Sequence, residues 1–446
     1  LTTPTPLTQR DLPLDSSGKV HVRVALLGFG TVGTGTYRML QENRVAIETK
    51  VGANIEVVRI GIKNAEKPRN APKALFTTDL DSIVGDPDVD VVIELMGGEE
   101  PARSLIEKAL RHGKHVITAN KELIAKDGLS LMKIAAEHCL DLHFEAAVGG
   151  GIPLIQPLKH QLAGNEVLKM MGILNGTTNY ILTKMCRDGG DFSESLAEAQ
   201  AHGYAEPDPT NDVEAYDVRY KLSILASIAF GKAVAPQDVY CEGITKLSKR
   251  DIELAHLFGF EVKLLGIVDK YDSGSLLARV HPTFLPKDHP LANVNDVYNA
   301  LWIRGDFVGD LMFSGRGAGA DPTGSAVVGD LIDVARNIRL GGAANNVLPD
   351  ENADMRPIED LVSRFYLRVN VDDQPSVLGS IATVLGHHHV SLAAMEMKVL
   401  DASQSLGEIV FLTHPCSERS FRLAVETIEN LQIVREIANW IRVEGT

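Results

Sequence analysis

The chain is 446 residues long, enough for about three domains at the usual 100–200 residues each. Its 44 basic and 59 acidic side chains leave a net charge of −15 with no basic block, which argues against a nucleic-acid partner. No apolar run approaches the roughly 20 residues that span a bilayer, so no membrane association is expected.

The opening LTTPTPLTQRDLPLDSSG has neither an apolar core nor an Arg-rich amphipathic pattern. Residues 1–19 therefore read as a disordered lead-in, not a targeting signal. The run from Val24 to Leu40, VALLGFGTVGTGTYRML, then drives an apolar strand into Gly28, Gly30 and Gly33 and on into a helix. A dinucleotide pyrophosphate requires that order. The first glycine permits a tight turn, the second lets backbone approach the phosphates, and the third lets helix and strand pack closely. The helix N-terminus adds N–H groups and partial positive charge. Phe29, Thr31 and Val32 complete the cofactor loop.

Strand-like runs IEVVRIGI, VDVVIELMGG, KHVITANK and LDLHFEAAVGG follow, separated by helical PARSLIEKALRHG and LSLMKIAAEHC. This alternation predicts a parallel sheet covered on both faces. No Asp or Glu directly follows the second strand, where a reader of the NAD 2′-hydroxyl is expected. Lys63, Lys67 and Arg69 cluster there instead, which suits NADP over NAD, or forms only a solvated basic loop. Lys121 falls just past the fifth strand, at the end where open α/β sheets bind ligands. The strand-end loop holding Met96 and Gly97 is expected to line the same pocket.

The pattern changes near Gly149. A second unit with a long helix, EAYDVRYKLSILASIAF, and later strands VKLLGIVDKY, SLLARVHPTFL and ALWIRGDFVGDLMFSG reads as α+β with a mixed sheet. In GRGAGADPTGSAVVGDLIDVARNI a glycine-rich loop meets a helix opened by a DPTGS turn, and a polar linker covers 343–362. The tail from Ser363 reads strand, helix, strand, strand, helix, closing on a strand-like WIRVEG. Cys139, Cys186, Cys241 and Cys416 lie far apart, with no disulfide or metal spacing, and are expected as scattered buried side chains in a reducing cytoplasm.

The segment from His202 to Lys221 concentrates the chemistry. Pro207 and Pro209 forbid a continuous helix, so Glu206 and Asp208 sit on a rigid loop. Asp217 and Lys221 are spaced i, i+4, about 5–6 Å apart at Cβ on one helical face. Such a pair is usually a surface salt bridge of little net worth. Here the following turns are almost wholly apolar, and a lysine entering a buried helix needs a partner and can act as a general acid.

The blocks GFGTVG, TANKE, FEAAVGGGIPLI, NGTTNYIL, GYAEPDPTNDVEAYDVRYKLSIL and GRGAGADPTGSAVVGDL resemble, in this order, homoserine dehydrogenases from about Val22 to Leu340. The tail resembles an ACT domain, an amino-acid-sensing module. The resemblance implies reversible NAD(P)H-dependent reduction of L-aspartate 4-semialdehyde to L-homoserine by a cytoplasmic homodimer or homotetramer. It implies an α/β fold: a Rossmann-type nucleotide-binding domain over 20–147 completed by about 316–342, an α+β catalytic and dimerisation domain over 148–315, and a βαββα ACT domain over 363–446. Lys221 matches the family's proton donor, Lys121 a second lysine near the aldehyde oxygen and cofactor, and Asp217 the residue that orients Lys221. Glu206 would bind the substrate ammonium, with Gly176, Thr177, Tyr204 and Asp212 lining the pocket. Glu145, Val148, Gly150 and Ile152 match a monovalent-cation site, for an ion such as sodium, while Gly317 and Gly319 approach the cofactor.

The tail departs from its family where Ser376 replaces the glycine of the ligand-facing turn, which puts threonine feedback in doubt. His387, His388 and His389 read as a helix end, where imidazolium complements the dipole. Two rivals remain: a dehydrogenase of another amino-acid semialdehyde, and a non-catalytic nucleotide and amino-acid sensor. Deleting the chain after about Asp350 is expected to leave catalysis intact.

Overall fold

A computed structural model describes residues 18–341, 349 and 351–445. The lead-in expected over 1–19 falls almost wholly outside the described residues, as does the first part of the expected linker. Strands Phe76–Thr77, Asn54–Gly61, His21–Leu27, Val91–Glu94, His115–Thr118 and Leu142–His143 lie side by side in that order, all parallel. Their β-branched runs are buried on both faces, with Val22, Val24, Leu26, Val91 and Ile93 fully enclosed. The strand order reverses between His21–Leu27 and Val91–Glu94, which opens a crevice at their carboxyl ends.

In the nucleotide-binding unit the strand Phe76–Thr77 and the helices Arg44–Val51 and Leu80–Gly85 escaped the hydrophobic pattern, and the two-residue strand and six-residue helix are too short to show a period. The DPTGS segment is the first turn of the helix Ala320–Leu340, not a turn ahead of it. This helix packs backbone to backbone on the helix Thr31–Glu42. A Cβ on Gly35 would lie 2.2 Å from the Ala320 carbonyl oxygen, so only glycine fits there.

A second sheet runs in the order Gly309–Arg316, Tyr298–Gly305, Val167–Ile173, Phe260–Lys270, Leu276–Pro286. These five strands are purely antiparallel: two hairpins, Tyr298–Gly305 with Gly309–Arg316 and Phe260–Lys270 with Leu276–Pro286, are joined through the sequence-distant Val167–Ile173, where Met171 pairs with Ile267. The mixed sheet expected from sequence arises only at two short parallel joins, with Tyr240–Cys241 and with the tail.

The tail is a βαββαβ unit. Strands Val434–Val443, Val362–Asp372, Leu406–Thr413 and Leu392–Asp401 form an antiparallel sheet in that order, with helices Val377–His387 and Glu418–Glu429 packed together. Phe365 and Phe421 stack at 4.1 Å in its core. This sheet continues the body's sheet: Thr283 pairs with Arg442 and Phe284 with Val443. Arg442, fully buried, donates to Glu418 at 2.7 and 2.8 Å and to Glu242 at 3.0 Å. Arg368 donates to Asp251 at 2.9 Å.

The second half of the expected linker is likewise bound to the body. Ala233 N–H donates to the Glu351 carbonyl, and Leu276 N–H to that of Asp354, both at 2.8 Å. Low hydropathy there reflects backbone pairing in place of side-chain burial. The tail is therefore fused rather than tethered, and its removal would orphan buried body charges. Among the described residues, no helix is long and apolar enough to cross a membrane.

Candidate active site

Lys121 is the first residue of the helix Lys121–Glu137, immediately beyond the carboxyl end of His115–Thr118. The chain turns there because the Asn120 side chain caps the helix, accepting from Leu123 N–H at 3.2 Å while donating to the Gly98 carbonyl at 2.6 Å. Thr118 Oγ1 donates to buried Glu94 at 2.6 Å, and Glu94 accepts the N–H groups of Met96 and Gly97 at 2.7 and 3.1 Å. One buried carboxylate thus shapes the whole strand-end loop.

Asp217 and Lys221 lie on the helix Tyr216–Phe230, which begins two residues later than its sequence pattern suggests. Ala215, fully buried, adopts φ 66°, a left-handed conformation that costs an alanine roughly 1–2 kcal/mol and separates this helix from the short Thr210–Val213. That break turns Asp212 and Asp217 toward a common partner. Asn175 Nδ2 donates to Asp212 at 2.7 Å and to Asp217 at 2.9 Å. The Asn175 oxygen meanwhile caps the helix Gly176–Asp188 through Thr178 N–H at 2.8 Å.

The two lysines converge on one carboxylate. Lys121 Nζ lies 2.7 Å from Asp217 Oδ1, and Lys221 Nζ 2.7 Å from Asp217 Oδ2. Lys221 also donates to the Leu174 carbonyl at 2.8 Å. Lys221 and Asp217 are buried, while Lys121 is half-buried at the rim. Burial pushes Lys221 below the ordinary lysine value, and the Lys121 charge adds to this against the pull of Asp217. Lys121 moves the opposite way, raised by Asp217. Burial raises Asp212, whereas Asp217 is held far down against its own burial by the two lysines. Two lysines with opposite shifts around one carboxylate can offer both a proton donor and a fixed positive charge.

Thr177 Oγ1 donates to the Tyr204 carbonyl at 2.6 Å, which fixes the start of the helix Gly176–Asp188 against the 202–206 loop. Tyr204 is exposed and packs on the rings of Tyr180 and His202. Glu206 is exposed on that loop, its carbonyl accepting from Gln200 Nε2 at 3.1 Å. Asp208 turns back to cap Thr210 and stays out of the cluster.

The glycine loop fits a pyrophosphate. A Cβ on Gly28 would lie 2.7 Å from the Leu95 carbonyl oxygen, and one on Gly33 2.5 Å from that of Gly28, while Gly30 faces open space. Thr31 and Val32 open the helix behind it. Phe29 packs edge-on against Phe76 at 5.4 Å, and the Arg69 guanidinium lies 5.7 Å over the Phe76 ring. Arg69 is thereby tied to the glycine loop, whereas Lys63 is exposed.

The family description "Homoserine dehydrogenase" matches residues 153–332, and its NAD binding domain matches 28–145. The homoserine dehydrogenase of Synechocystis sp. is 46% identical over 433 residues, covering 95% of this chain and 99% of that protein. That of Bacillus subtilis is 39% identical, covering 95% and 98%. The chain belongs to the homoserine dehydrogenase family. It is an oxidoreductase. A solved homoserine dehydrogenase from Thiobacillus denitrificans superposes with a TM-score of 0.90 at 40% identity, covering 95% and 98%. A hyperthermophilic archaeal homoserine dehydrogenase in complex with NADPH superposes with a TM-score of 0.60 at 26% identity, covering 70% of this chain and 97% of that one.

In this member of the family the Glu145 carboxylate accepts the N–H groups of Leu154, Ile155 and Gln156 at 2.6, 2.9 and 2.8 Å. It caps the helix Ile155–Lys159, with Oε1 accepting two of these N–H groups and Oε2 one. Val148 and Ile152 are buried beside it, and a Cβ on Gly150 would collide with the Gly317 carbonyl at 2.4 Å. Gly319 takes φ 124° and caps the helix Ala320–Leu340. Sequence reasoning passed over Asn175, visible only as a helix cap in NGTT, and Asn299. Asn299 is fully buried with neither amide atom hydrogen-bonded, directly beneath Gly317.

Proposed function

We propose that this chain interconverts L-aspartate 4-semialdehyde and L-homoserine with a nicotinamide cofactor, in the route to threonine, methionine and isoleucine. The observation that carries the mechanism is the pair of ammonium groups on the two oxygens of Asp217. The bound cofactor supplies the hydride to the aldehyde carbon. Negative charge then develops on the carbonyl oxygen, and Lys121 and Lys221 stabilise it in a partly desolvated site. Lys221, pushed down by burial, delivers the proton, and Asp217 holds it in place. In the reverse direction neutral Lys221 takes the hydroxyl proton. Asp212 and Glu206 offer carboxylates for the substrate ammonium. The helix N-terminus at Gly176 and Thr177 offers N–H groups for its carboxylate.

For the cofactor we favour NADP, with Arg69 as the reader of the 2′-phosphate and Lys63 in support. A monovalent cation such as sodium would sit on the carbonyls of the 145–152 turn. The βαββαβ topology supports an ACT assignment for the tail. Ser376 takes φ 72°, in the region that favours glycine, so the turn is kept in glycine-like shape with a side chain added. That side chain narrows any amino-acid effector site there. Exposed Met395, Met397 and Val399 on the outermost tail strand support a homo-oligomer.

Initial-rate oxidation of L-homoserine with NADP and with NAD, each with and without threonine, tests these points together. Turnover with NADP at lower KM is expected; no turnover with either cofactor would overturn the proposal.

A further inference from the structure

The second unit contains a donor cluster that the proposed reaction does not use. Cys186 lies in the last turn of the helix Gly176–Asp188, His256 in the last turn of Lys249–Leu257, and Glu261 at the start of the strand Phe260–Lys270. Gly259, at φ 84°, turns the chain between the latter two. One ligand atom from each lies within 4.8 Å of the others, and His256 Nε2 is 3.2 Å from Glu261 Oε2. Ligand atoms around tetrahedral zinc sit roughly 3.3–3.8 Å apart, given bonds of about 2.0–2.3 Å. The cluster needs a contraction of about 1 Å, within reach of side-chain rotation.

The chemistry of the set matches a borderline-soft dication. A thiolate, a neutral imidazole and a carboxylate together carry two negative charges, which neutralise Zn²⁺. Without a metal, burial and then Glu261 push the Cys186 thiol up to about 11, so metal binding must displace its proton. Side-chain exposures of 33% at His256 and 26% at Glu261 leave an entry path and room for a water as fourth ligand. Lys263 does not compete for the donors, because its ammonium is held by the Val294 carbonyl at 2.7 Å and Asn295 at 3.0 Å.

We propose that Cys186, His256 and Glu261 form a zinc site separate from the active site. Cys186 stands ten residues, about 15 Å, along the helix from Gly176. The ion pins the far end of that helix to Lys249–Leu257, whose Asp251 and Arg250 in turn hold Arg368 and Glu408 of the tail. The site thus braces the substrate-side helix against the tail.

Titrating metal-stripped full-length protein with Co²⁺ tests this. Saturation at one equivalent is expected, with a thiolate-to-cobalt charge-transfer band in the near ultraviolet, displacement by Zn²⁺, and a higher Tm on zinc binding. Cys186→Ser should abolish the band, Glu261→Gln should weaken Co²⁺ binding at least tenfold, and Cys139→Ser should leave both unchanged. Absence of the band in the unmutated chain, or its survival in Cys186→Ser, would overturn the site. A Tm rise without the band, from ions on exposed carboxylates, would overturn it equally.

Discussion

Two buried clusters in this molecule use the same ingredients to different ends. In the crevice, Lys121 and Lys221 share the single carboxylate of Asp217, and one of them is half-buried at the rim. Under the tail, Lys169 and Arg279 meet two carboxylates, Asp269 and Glu444, and Arg279 is fully enclosed. In the first arrangement Lys221 bonds a carboxylate it shares with Lys121, Asp212 acts only through space, and burial pushes Lys221 down. The second is balanced: its carboxylates outweigh burial and raise both Lys169 and Arg279, which fixes their protons. Stoichiometry and an open side therefore separate a reactive cation cluster from a structural one.

The largest effect that would sharpen this contrast is at Lys221. Lys221→Ala is expected to lower kcat by about 10²–10⁴-fold with cofactor KM little changed, because a general acid is lost while the glycine loop is untouched. Near-normal turnover would remove Lys221 from the chemistry. Under the tail the expected loss is in stability. Glu444→Gln leaves Arg279 and Lys169 to share Asp269 alone, an excess of buried positive charge, and should cost about 3 kcal/mol in denaturant unfolding, with kcat per folded molecule preserved.

The same carboxylate sets an acid limit. Burial alone would raise Glu444, but Arg279 and Lys169 hold it at about 2, below its ordinary 4.5. Its stabilisation is thus present above pH 4.5 and lost as pH falls toward 2, a dependence that Glu444→Gln should flatten. Deletion of the tail should behave like this variant and worse. The tail is paired to the body's sheet and not tethered, so its loss exposes buried charges.

A smaller effect should appear in the pH–rate profile. Reduction needs protonated Lys221, so its rate should fall as pH rises through a value below the ordinary 10.5, while homoserine oxidation gains over the same range. Asp217→Asn removes the charge that holds the proton on Lys221 and should move that limb to lower pH. A limb unmoved by this change would place the titration elsewhere. Smallest is the expected effect at Arg69: Arg69→Ala should raise KM for NADPH about tenfold and leave that for NADH unchanged, the loss of one charge-assisted contact.

The sequence by itself determined whatever is local in the chain. Glycine spacing after an apolar strand places the cofactor loop, and the i, i+4 step from Asp217 to Lys221 places both on one helical face. Strand periodicity gave the parallel sheet and the βαββα order of the tail, while elements of two residues carried no period to find. Tertiary structure alone decided which distant groups meet. Lys121 reaches Asp217 from another domain, Asn175 joins two carboxylates while capping a helix, and Glu444 inserts between body cations. The physical reason is the same in each case. Side-chain periodicity encodes which face a residue occupies, but the partner across that face is chosen by packing of segments far apart in the chain, and composition holds no record of it.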